Sequence, residues 1–301
     1  MTTLITTLGE KSLDDFGLIL PHEHLFVDLK TWDQPGYGEQ DVDEAVETMR
    51  PIVEKAMAAG VTAIVECSPT GVGRRVDIDK AISEAVNLPV VVPTGIYREP
   101  WIPPWAHYSA EDMIYEWMLK ELTEGIEETG VRAAWIKLSA GDDGMTETEK
   151  KILRAAARAG KETNALIGSH TIRGRVVLDQ LAIIEEVGYT ADRFLWIHTQ
   201  ADPDKAQRME IAKRGLWMEF DAIHADYDKD DEFLADTQAL LDAGYGDKLL
   251  LSHDQGWHDL SQANIFTHVP SVFVPKMRDA SISEAQIDQL TRVNPFNAFG
   301  R

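Results

Sequence analysis

Eight short apolar runs, separated by charged helical segments, constrain this chain more than any other feature of its sequence. They occupy residues 18–26, 61–68, 90–97, 133–140, 165–170, 193–199, 215–221 and 248–254. Each run is almost continuously apolar, which is typical of parallel strands that are covered on both faces. Strands of an antiparallel meander would alternate between apolar and polar residues. The sequence therefore predicts eight parallel strands.

The segments between the runs carry apolar residues at helical spacing. Several begin at Asp, Ser or Thr and end at Gly, which are signals for the start and the end of a helix. Pro51 lies inside the first of them and is predicted to kink or restart that helix. Strands alternating with helices predict an α/β fold, a single (β/α)8 TIM barrel domain over residues 1–301, with a C-terminal helical cap from about Ser261. An open doubly wound sheet is the alternative, but no glycine-rich turn follows the first strand.

The charge of the chain excludes several classes of partner. Of its 301 residues 51 are acidic and 29 are basic, which gives a formal net charge of −22. Nucleic acid and anionic membrane surfaces both require a basic face, so we expect neither as a partner. The single cysteine, Cys67, allows no internal disulfide, and no run approaches the ~18 apolar residues of a membrane span. The N-terminus has no basic start followed by an apolar stretch, so the sequence predicts a cytoplasmic location.

Side chains suited to metal binding stand near the ends of the apolar runs. His22 and His24 are two residues apart, so in a strand both point to the same face. In a barrel all the C-terminal strand ends meet at one face, where the active sites of this fold lie. Taken singly, each histidine could be a core residue and Asp254 a helix N-cap. The set predicted to converge at this face comprises His22, His24, Lys137, His170, His198 and Asp254.

These motifs resemble those of the phosphotriesterase family of the amidohydrolase superfamily, which includes phosphotriesterase-like lactonases and phosphotriesterase homology proteins. The resemblance begins with GLILPHEHL and continues with the lysine of GVRAAWIKL and the segment KILRAAARAGKET. GSHT, IHT and LSHD follow in the family's order. It extends from about Thr7 to Phe299 and is specific for the family, but only weakly specific for the substrate.

The resemblance implies a binuclear metal centre. Six side chains would share two ions: His22, His24 and Asp254 for the more buried ion, His170 and His198 for the more exposed one, and Lys137, as an N6-carboxylysine, bridging both. Four imidazoles and two carboxylate-type groups favour zinc, and cobalt, manganese and iron also accept these ligands. A hydroxide that bridges the ions would attack the substrate, and Asp254 would be the catalytic residue that accepts its proton.

Two strand ends depart from the family's pattern. In the best-known phosphotriesterases an Asp-His pair ends the seventh strand, and an Asp beyond the sixth-strand ligand joins it in a proton relay. Here Ala222 stands in place of that histidine and Gln200 follows HT, so the relay is predicted to be absent. The lactonase branch usually has Arg at the position of Ala222, which is missing here, whereas Tyr97 matches a tyrosine of that branch. His224 and His253 are hypotheses for proton handling, although strand alternation points His253 away from the barrel centre.

Loops after the strands are expected to supply the pocket walls, and the candidates for substrate contact are Tyr97, Arg98, Trp101 and Trp257. Glu66 and Cys67 are expected to pack in the barrel interior or at its rim. The resemblance favours hydrolysis of a lactone or other carboxylic ester, with organophosphate triesters as a side activity. A cyclic amide hydrolase and a non-catalytic small-molecule-binding homologue are the alternatives. Family members are commonly homodimers, and we expect the same here.

Overall fold

Every predicted apolar run contains a strand in the computed structural model, which describes residues 2–301, with only the backbone of Tyr227. A short antiparallel hairpin, β1 (Leu4–Thr6) and β2 (Gly9–Lys11), precedes them. The strands of the eight runs are β3 (Leu18–Glu23), β4 (Val61–Glu66), β5 (Val90–Val91) with β6 (Pro93–Thr94), β7 (Trp135–Ser139), β8 (Ile167–His170), β9 (Phe194–Ile197), β10 (Trp217–Phe220) and β11 (Leu249–Leu251).

The strands pair in parallel, in chain order, around a closed barrel. One sheet has the order β3-β4-β5 and the other runs from β6 to β11 without a crossover. Because β5 and β6 belong to one run interrupted at Val92, they join the two sheets on one side. On the other side the Asp254 N–H donates to the His22 carbonyl at 3.1 Å, and the His24 N–H donates to the Gln255 carbonyl at 2.9 Å. These bonds close the predicted TIM barrel.

Helices follow the strands and cover the outside of the barrel. The α-helices are α1 (Val42–Ala58), α2 (Val76–Val86), α3 (Pro104–Tyr108), α4 (Glu111–Thr123), α5 (Glu147–Thr163), α6 (Gly174–Glu186), α7 (Lys205–Ala212), α8 (Asp230–Asp242), α9 (Val274–Asp279), α10 (Glu284–Asp288) and α11 (Asn294–Phe299). Wider, π-helical turns at Val269–Phe273 and Gln289–Val293 lead into α9 and α11. Among the described residues, none of these helices is long and apolar enough to cross a membrane.

Pro51 is predicted to kink or restart the first helix, and the restart is wrong. Helix α1 continues through Pro51 from Val42 to Ala58. Proline removes one backbone hydrogen bond, which leaves the carbonyl group of Glu47 without its helical partner. Pro51 and Glu47 are both exposed, so water can satisfy that carbonyl, while Met49 and Val53 on the opposite face are buried in the core.

Strand alternation divides the apolar residues into an outer and an inner layer. Ile136 and Leu138 of β7 point outwards and pack in the layer between strands and helices. Trp135 points inwards, where its ring lies edge-on to that of Phe299, with 5.0 Å between the centroids. The C-terminal cap is helical from Val269 rather than from about Ser261, and with Phe299 it closes the end of the barrel at which the strands begin. Functional side chains are therefore confined to the opposite end.

Candidate metal centre

The structure brings all six predicted donors together at the C-terminal ends of the strands. His22 and His24 lie on either side of Glu23, the last residue of β3. Because side chains alternate along extended backbone, both imidazoles enter the barrel and the glutamate points out. The Asp254 Oδ1 atom lies 3.3 Å from His22 Nε2 and 3.0 Å from His24 Nε2. Lys137 Nζ lies 3.4 Å from His22 Nε2. On the other side of the cluster, His198 Nε2 lies 2.7 Å from His170 Nδ1.

These spacings fit a metal ion. His22, His24 and Asp254 can each direct one ligand atom to a common point. Donor atoms that lie 2.0–2.1 Å from a tetrahedral ion are separated from each other by about 3.4 Å. The distances from Asp254 Oδ1 to the two Nε2 atoms, 3.3 and 3.0 Å, are close to that separation. Nitrogen and carboxylate donors are the ones zinc accepts.

Hydrogen bonds behind the imidazoles leave their Nε2 atoms available to a metal. The Nδ1–H groups of His22 and His198 donate to Glu219 and Asp221, each at 2.8 Å. His24 Nδ1 lies 2.8 Å from the Ser68 hydroxyl, which itself donates to a backbone carbonyl and so accepts the imidazole proton. Partners of this kind fix the ring orientation and the tautomer of metal-binding histidines.

His170 is oriented differently from the other three histidines. Its Nδ1 atom faces the cluster and lies 3.1 Å from the hydroxyl group of Tyr97. Burial, together with the neighbouring His198 and Lys137, holds the pKa of His170 well below its usual value. The imidazole is therefore neutral at pH 7 and can offer a lone pair to a metal.

Asp254 is ionised in this environment. Burial alone would raise its pKa, but the imidazoles of His22 and His24 outweigh burial and hold the pKa of Asp254 well below its usual range. Asp254 and His198 both adopt positive φ angles, 54° and 64°. Such backbone is strained for residues other than glycine and often occurs at functional sites.

Lys137 is buried, with 2% of its surface exposed. Its ammonium contacts His22 and lies 5.9 Å from the ring centroid of Trp135. Within residues 2–301 no carboxylate pairs with it at 4 Å or less. A buried ammonium without a counter-ion is unfavourable, so this lysine requires a negative partner or a chemical change that removes its charge.

A cavity of about 170 Å³ opens above the six donors. Of the four predicted substrate contacts, Tyr97 lines this cavity. Arg98 and Trp101 stack on each other beside it, and the Trp101 indole N–H donates to the Leu29 carbonyl at 2.8 Å. The Trp257 ring packs against a phenylalanine of the core. The remaining wall comes from Cys67, which was expected at the barrel interior or rim, and from four residues that were not predicted to contact substrate, Val27, Leu29, Val72 and His258.

The proton-handling hypothesis for His253 is not supported by its position. Its Nδ1–H group donates to Glu23, and its Nε2 atom accepts the backbone N–H of Val269 at 2.8 Å. His253 is completely buried outside the barrel centre, as strand alternation predicted. His224, the other candidate, does not line the cavity.

The buried acids around the donors were not among the predicted site residues. Glu66 was expected only to pack, but its carboxylate accepts the backbone N–H groups of Leu25 and Ser68 and lies 3.5 Å from His24 Nδ1. Glu219 and Asp221 also point at metal-type histidines. Alternation along β10 is the sequence signal that could have placed both of them inside the barrel.

Comparison with known proteins identifies the family. A sequence model of the phosphotriesterase family matches residues 2–299. The chain belongs to the phosphotriesterase family. The family match and the clustered His and Asp donors make the chain a metal-dependent hydrolase.

Individual relatives match between 83% and 99% of the chain. It is 31% identical over 258 residues to an aryldialkylphosphatase of Saccharolobus solfataricus, covering 83% of this chain and 81% of that protein. It is 26% identical over 296 residues to a phosphotriesterase homology protein of Escherichia coli, covering 96% of this chain and 99% of that protein. A crystal structure of a mutant PTE-like lactonase from Deinococcus radiodurans superimposes with a TM-score of 0.86 at 31% identity, covering 99% of this chain and 100% of that one.

Proposed function

We propose that this protein hydrolyses small, uncharged lactones or related carboxylic esters at a centre of two divalent metal ions. The observation that carries the proposal is the Tyr97 hydroxyl, which is held 3.1 Å from His170 in the wall of the cavity. Lys137 is the only lysine or arginine lining this cavity in the part of the chain that the structure describes. With Lys137 assigned to the metal centre, no other lysine or arginine lining the cavity in the described residues would pair with an anionic substituent on the substrate.

The donor set fits two ions, and zinc is the metal we propose. His22, His24 and Asp254 would hold the more buried ion, and His170 and His198 the other. A carboxylated Lys137 would reach both and would remove the buried positive charge. The bound ions would polarise the carbonyl group of the substrate and lower the pKa of water so that a nucleophile forms at neutral pH.

Asp254 would accept a proton from the attacking water, and Tyr97 would donate a hydrogen bond to the substrate. Ionised Asp254 keeps 33% of its side chain exposed to the cavity and is positioned to accept the proton of the attacking water. Burial raises the pKa of Tyr97, so its hydroxyl stays protonated and can donate a hydrogen bond to an ester oxygen.

The surroundings of Asp254 favour a lactone over a phosphotriester. Asp221 is engaged by His198 and Gln200, and Ala222 carries no group that could accept a proton. A proton taken up by Asp254 therefore has to return to the leaving group. The alkoxide released from a lactone is basic and stays attached to the acyl fragment, so it accepts that proton in place. A cavity of about 170 Å³ is also small for a triester with a bulky leaving group.

The test is hydrolysis, followed by proton release, of a matched panel of lactones, aryl esters, cyclic amides and phosphotriesters by zinc-loaded protein. We expect lactones or esters to be the best substrates, Asp254→Asn to abolish turnover and Tyr97→Phe to lower kcat on the same substrate. Cyclic amides as the best substrates would replace the proposed bond with the amide alternative. Zinc-loaded protein that binds panel compounds and hydrolyses none of them would favour a binding role.

We also propose that the protein is a homodimer. Large apolar side chains are exposed after β3 and around α3 and α4: Leu29, Trp32, Trp105, Tyr108 and Met113. Exposed apolar side chains that form a contiguous patch mark an interaction surface. Sedimentation of the wild type against Tyr108→Glu would test this, because a dimer formed by this surface dissociates in the variant.

A further inference from the structure

Glu219 lies next to the proposed metal-binding residue His22, and its carboxylate makes one hydrogen bond. It lies on β10 and is completely buried. Its Oε2 atom accepts the Nδ1–H group of His22 at 2.8 Å. Its Oε1 atom has no hydrogen-bond partner among the described residues. A buried carboxylate with one satisfied oxygen is unfavourable for the fold unless another charge compensates it.

The other buried acids of this region have structural tasks that Glu219 lacks. Asp221 accepts the backbone N–H of His198 at 2.9 Å as well as its imidazole proton. Glu66 accepts the backbone N–H groups that follow β3 and β4. Glu23 accepts two backbone N–H groups beyond β11. Each of these acids fixes a loop. Glu219 makes no bond to the backbone, so its contribution passes through the His22 ring alone.

The far side of that ring is the metal-binding side. His22 Nε2 lies 3.3 Å from Asp254 Oδ1 and 3.4 Å from Lys137 Nζ. Glu219 therefore contacts one nitrogen of the His22 ring, and the side chains that would hold the more buried metal contact the other nitrogen. A cation beyond the ring would compensate the buried carboxylate, and the carboxylate would make the imidazole a stronger donor.

We propose that Glu219 is a positioning residue that locks the Nδ1–H tautomer of His22 and strengthens metal binding at the more buried position. The proposal rests on the metal centre of the proposed function and is independent of the substrate. It predicts that Glu219 stabilises the metal-loaded protein and contributes nothing to the stability of the metal-free fold.

The test compares Glu219→Gln with Asp221→Asn, because Asp221 is a second buried acid, directly after the same strand, that also accepts a backbone N–H group. Zinc affinity is measured by competition with a chromogenic chelator, in buffer containing bicarbonate, and urea unfolding is measured on metal-free protein. For Glu219→Gln we expect one of the two zinc dissociation constants to rise 10- to 100-fold, with metal-free stability equal to or above that of the wild type. Asp221→Asn is expected to lower metal-free stability.

The outcomes separate this proposal from the proposed function. If the wild type binds two zinc ions and Glu219→Gln binds them with unchanged affinity, the role of Glu219 is refuted and the metal centre stands. A loss of metal-free stability in Glu219→Gln equal to that in Asp221→Asn would make Glu219 an ordinary structural residue. If the wild type binds no zinc, the metal centre itself fails. The absorption of Co²⁺-loaded protein gives a second readout, and we expect Glu219→Gln to shift it.

Discussion

The chain after β6 passes close to β7, so we expect Gly95→Ala to lower the stability of the fold and to disturb the metal centre. Gly95 has a φ of +117°, and a Cβ atom added there would lie 2.0 Å from the carbonyl oxygen of Lys137 and 3.0 Å from its backbone nitrogen. Gly60 provides a matched control, because its φ is +102° and an added Cβ would meet nothing within 4 Å. Both substitutions force alanine into left-handed backbone, but only Gly95→Ala also presses on the lysine of the site.

The two costs can be estimated separately. Alanine in such a conformation costs about 1–3 kcal/mol, which is the whole effect expected for Gly60→Ala. At Gly95 the backbone of Lys137 has to retreat by about 1.3–1.6 Å to restore an ordinary carbon-to-oxygen contact. Overpacking of this kind adds about 1–3 kcal/mol. We therefore expect Gly95→Ala to lower the free energy of unfolding by about 2–6 kcal/mol and to displace Lys137 from the metal-binding side chains.

Urea unfolding of metal-free protein measures the first effect, and zinc uptake measures the second. Gly60→Ala should take up zinc like the wild type, whereas Gly95→Ala should bind it more weakly. Equal losses of unfolding free energy in the two variants would refute the argument from close approach. Wild-type zinc affinity in Gly95→Ala would show that Lys137 does not depend on this contact.

Three further predictions concern a buried ion pair, a buried carboxylate that titrates, and the metal requirement. Arg74→Gln leaves the buried carboxylate of Glu121 without its two short guanidinium bonds, and we expect urea unfolding to show a loss of about 3–5 kcal/mol. A loss below 1 kcal/mol would contradict this. Burial would raise the pKa of Asp230, but hydrogen bonds from Lys276 and His268 outweigh burial and lower it. A lowered carboxyl pKa stabilises the fold above the unfolded value of about 3.9, and this contribution is lost as the pH falls through the folded value. Asp230→Asn should therefore be less stable than the wild type at pH 7, with a gap that narrows below about pH 4; a constant gap would be inconsistent with the proposed titration. Removal of metal with a chelator should abolish hydrolysis and lower the unfolding temperature, and zinc at about 100 times its dissociation constant should restore about 2.7 kcal/mol of stability. A chelated protein with unchanged activity and stability would contradict the metal requirement.

The fold was predictable because its local signals agree with one another. Each parallel strand is covered on both faces, so it appears as an apolar run whatever its neighbours are. The six donors were predictable for a related reason, since parallel strands in a barrel bring their C-terminal ends to one face. Pro51 shows where local rules fail. The loss of one hydrogen bond predicts a break, but the buried residues on the opposite face of α1 keep the helix continuous.

The pocket walls were less predictable because loops are positioned by distant parts of the chain. Trp101 is directed by the carbonyl group of Leu29, 72 residues earlier. Trp257 packs on Phe26, which belongs to the loop after the first barrel strand. His258 follows Trp257 and reaches the cavity, where its ring centroid lies 5.7 Å from that of His24. No periodicity in the sequence encodes such contacts. Residue type was the only guide to the cavity wall, and it favoured Trp101 and Trp257 over His258.

The buried acids could have been found by applying strand alternation to every residue of a strand. On β10, Met218 and Phe220 pack in the outer layer, so Glu219 and Asp221 must enter the barrel. Two carboxylates inside a closed barrel require cations or hydrogen-bond donors, and the nearest are the histidines of the site. The same rule places Glu23, between His22 and His24, on the outside, where it holds the chain beyond β11. Acids at inward positions of a barrel strand therefore indicate the metal centre as directly as the histidines do, and acids at outward positions indicate the loops that frame it.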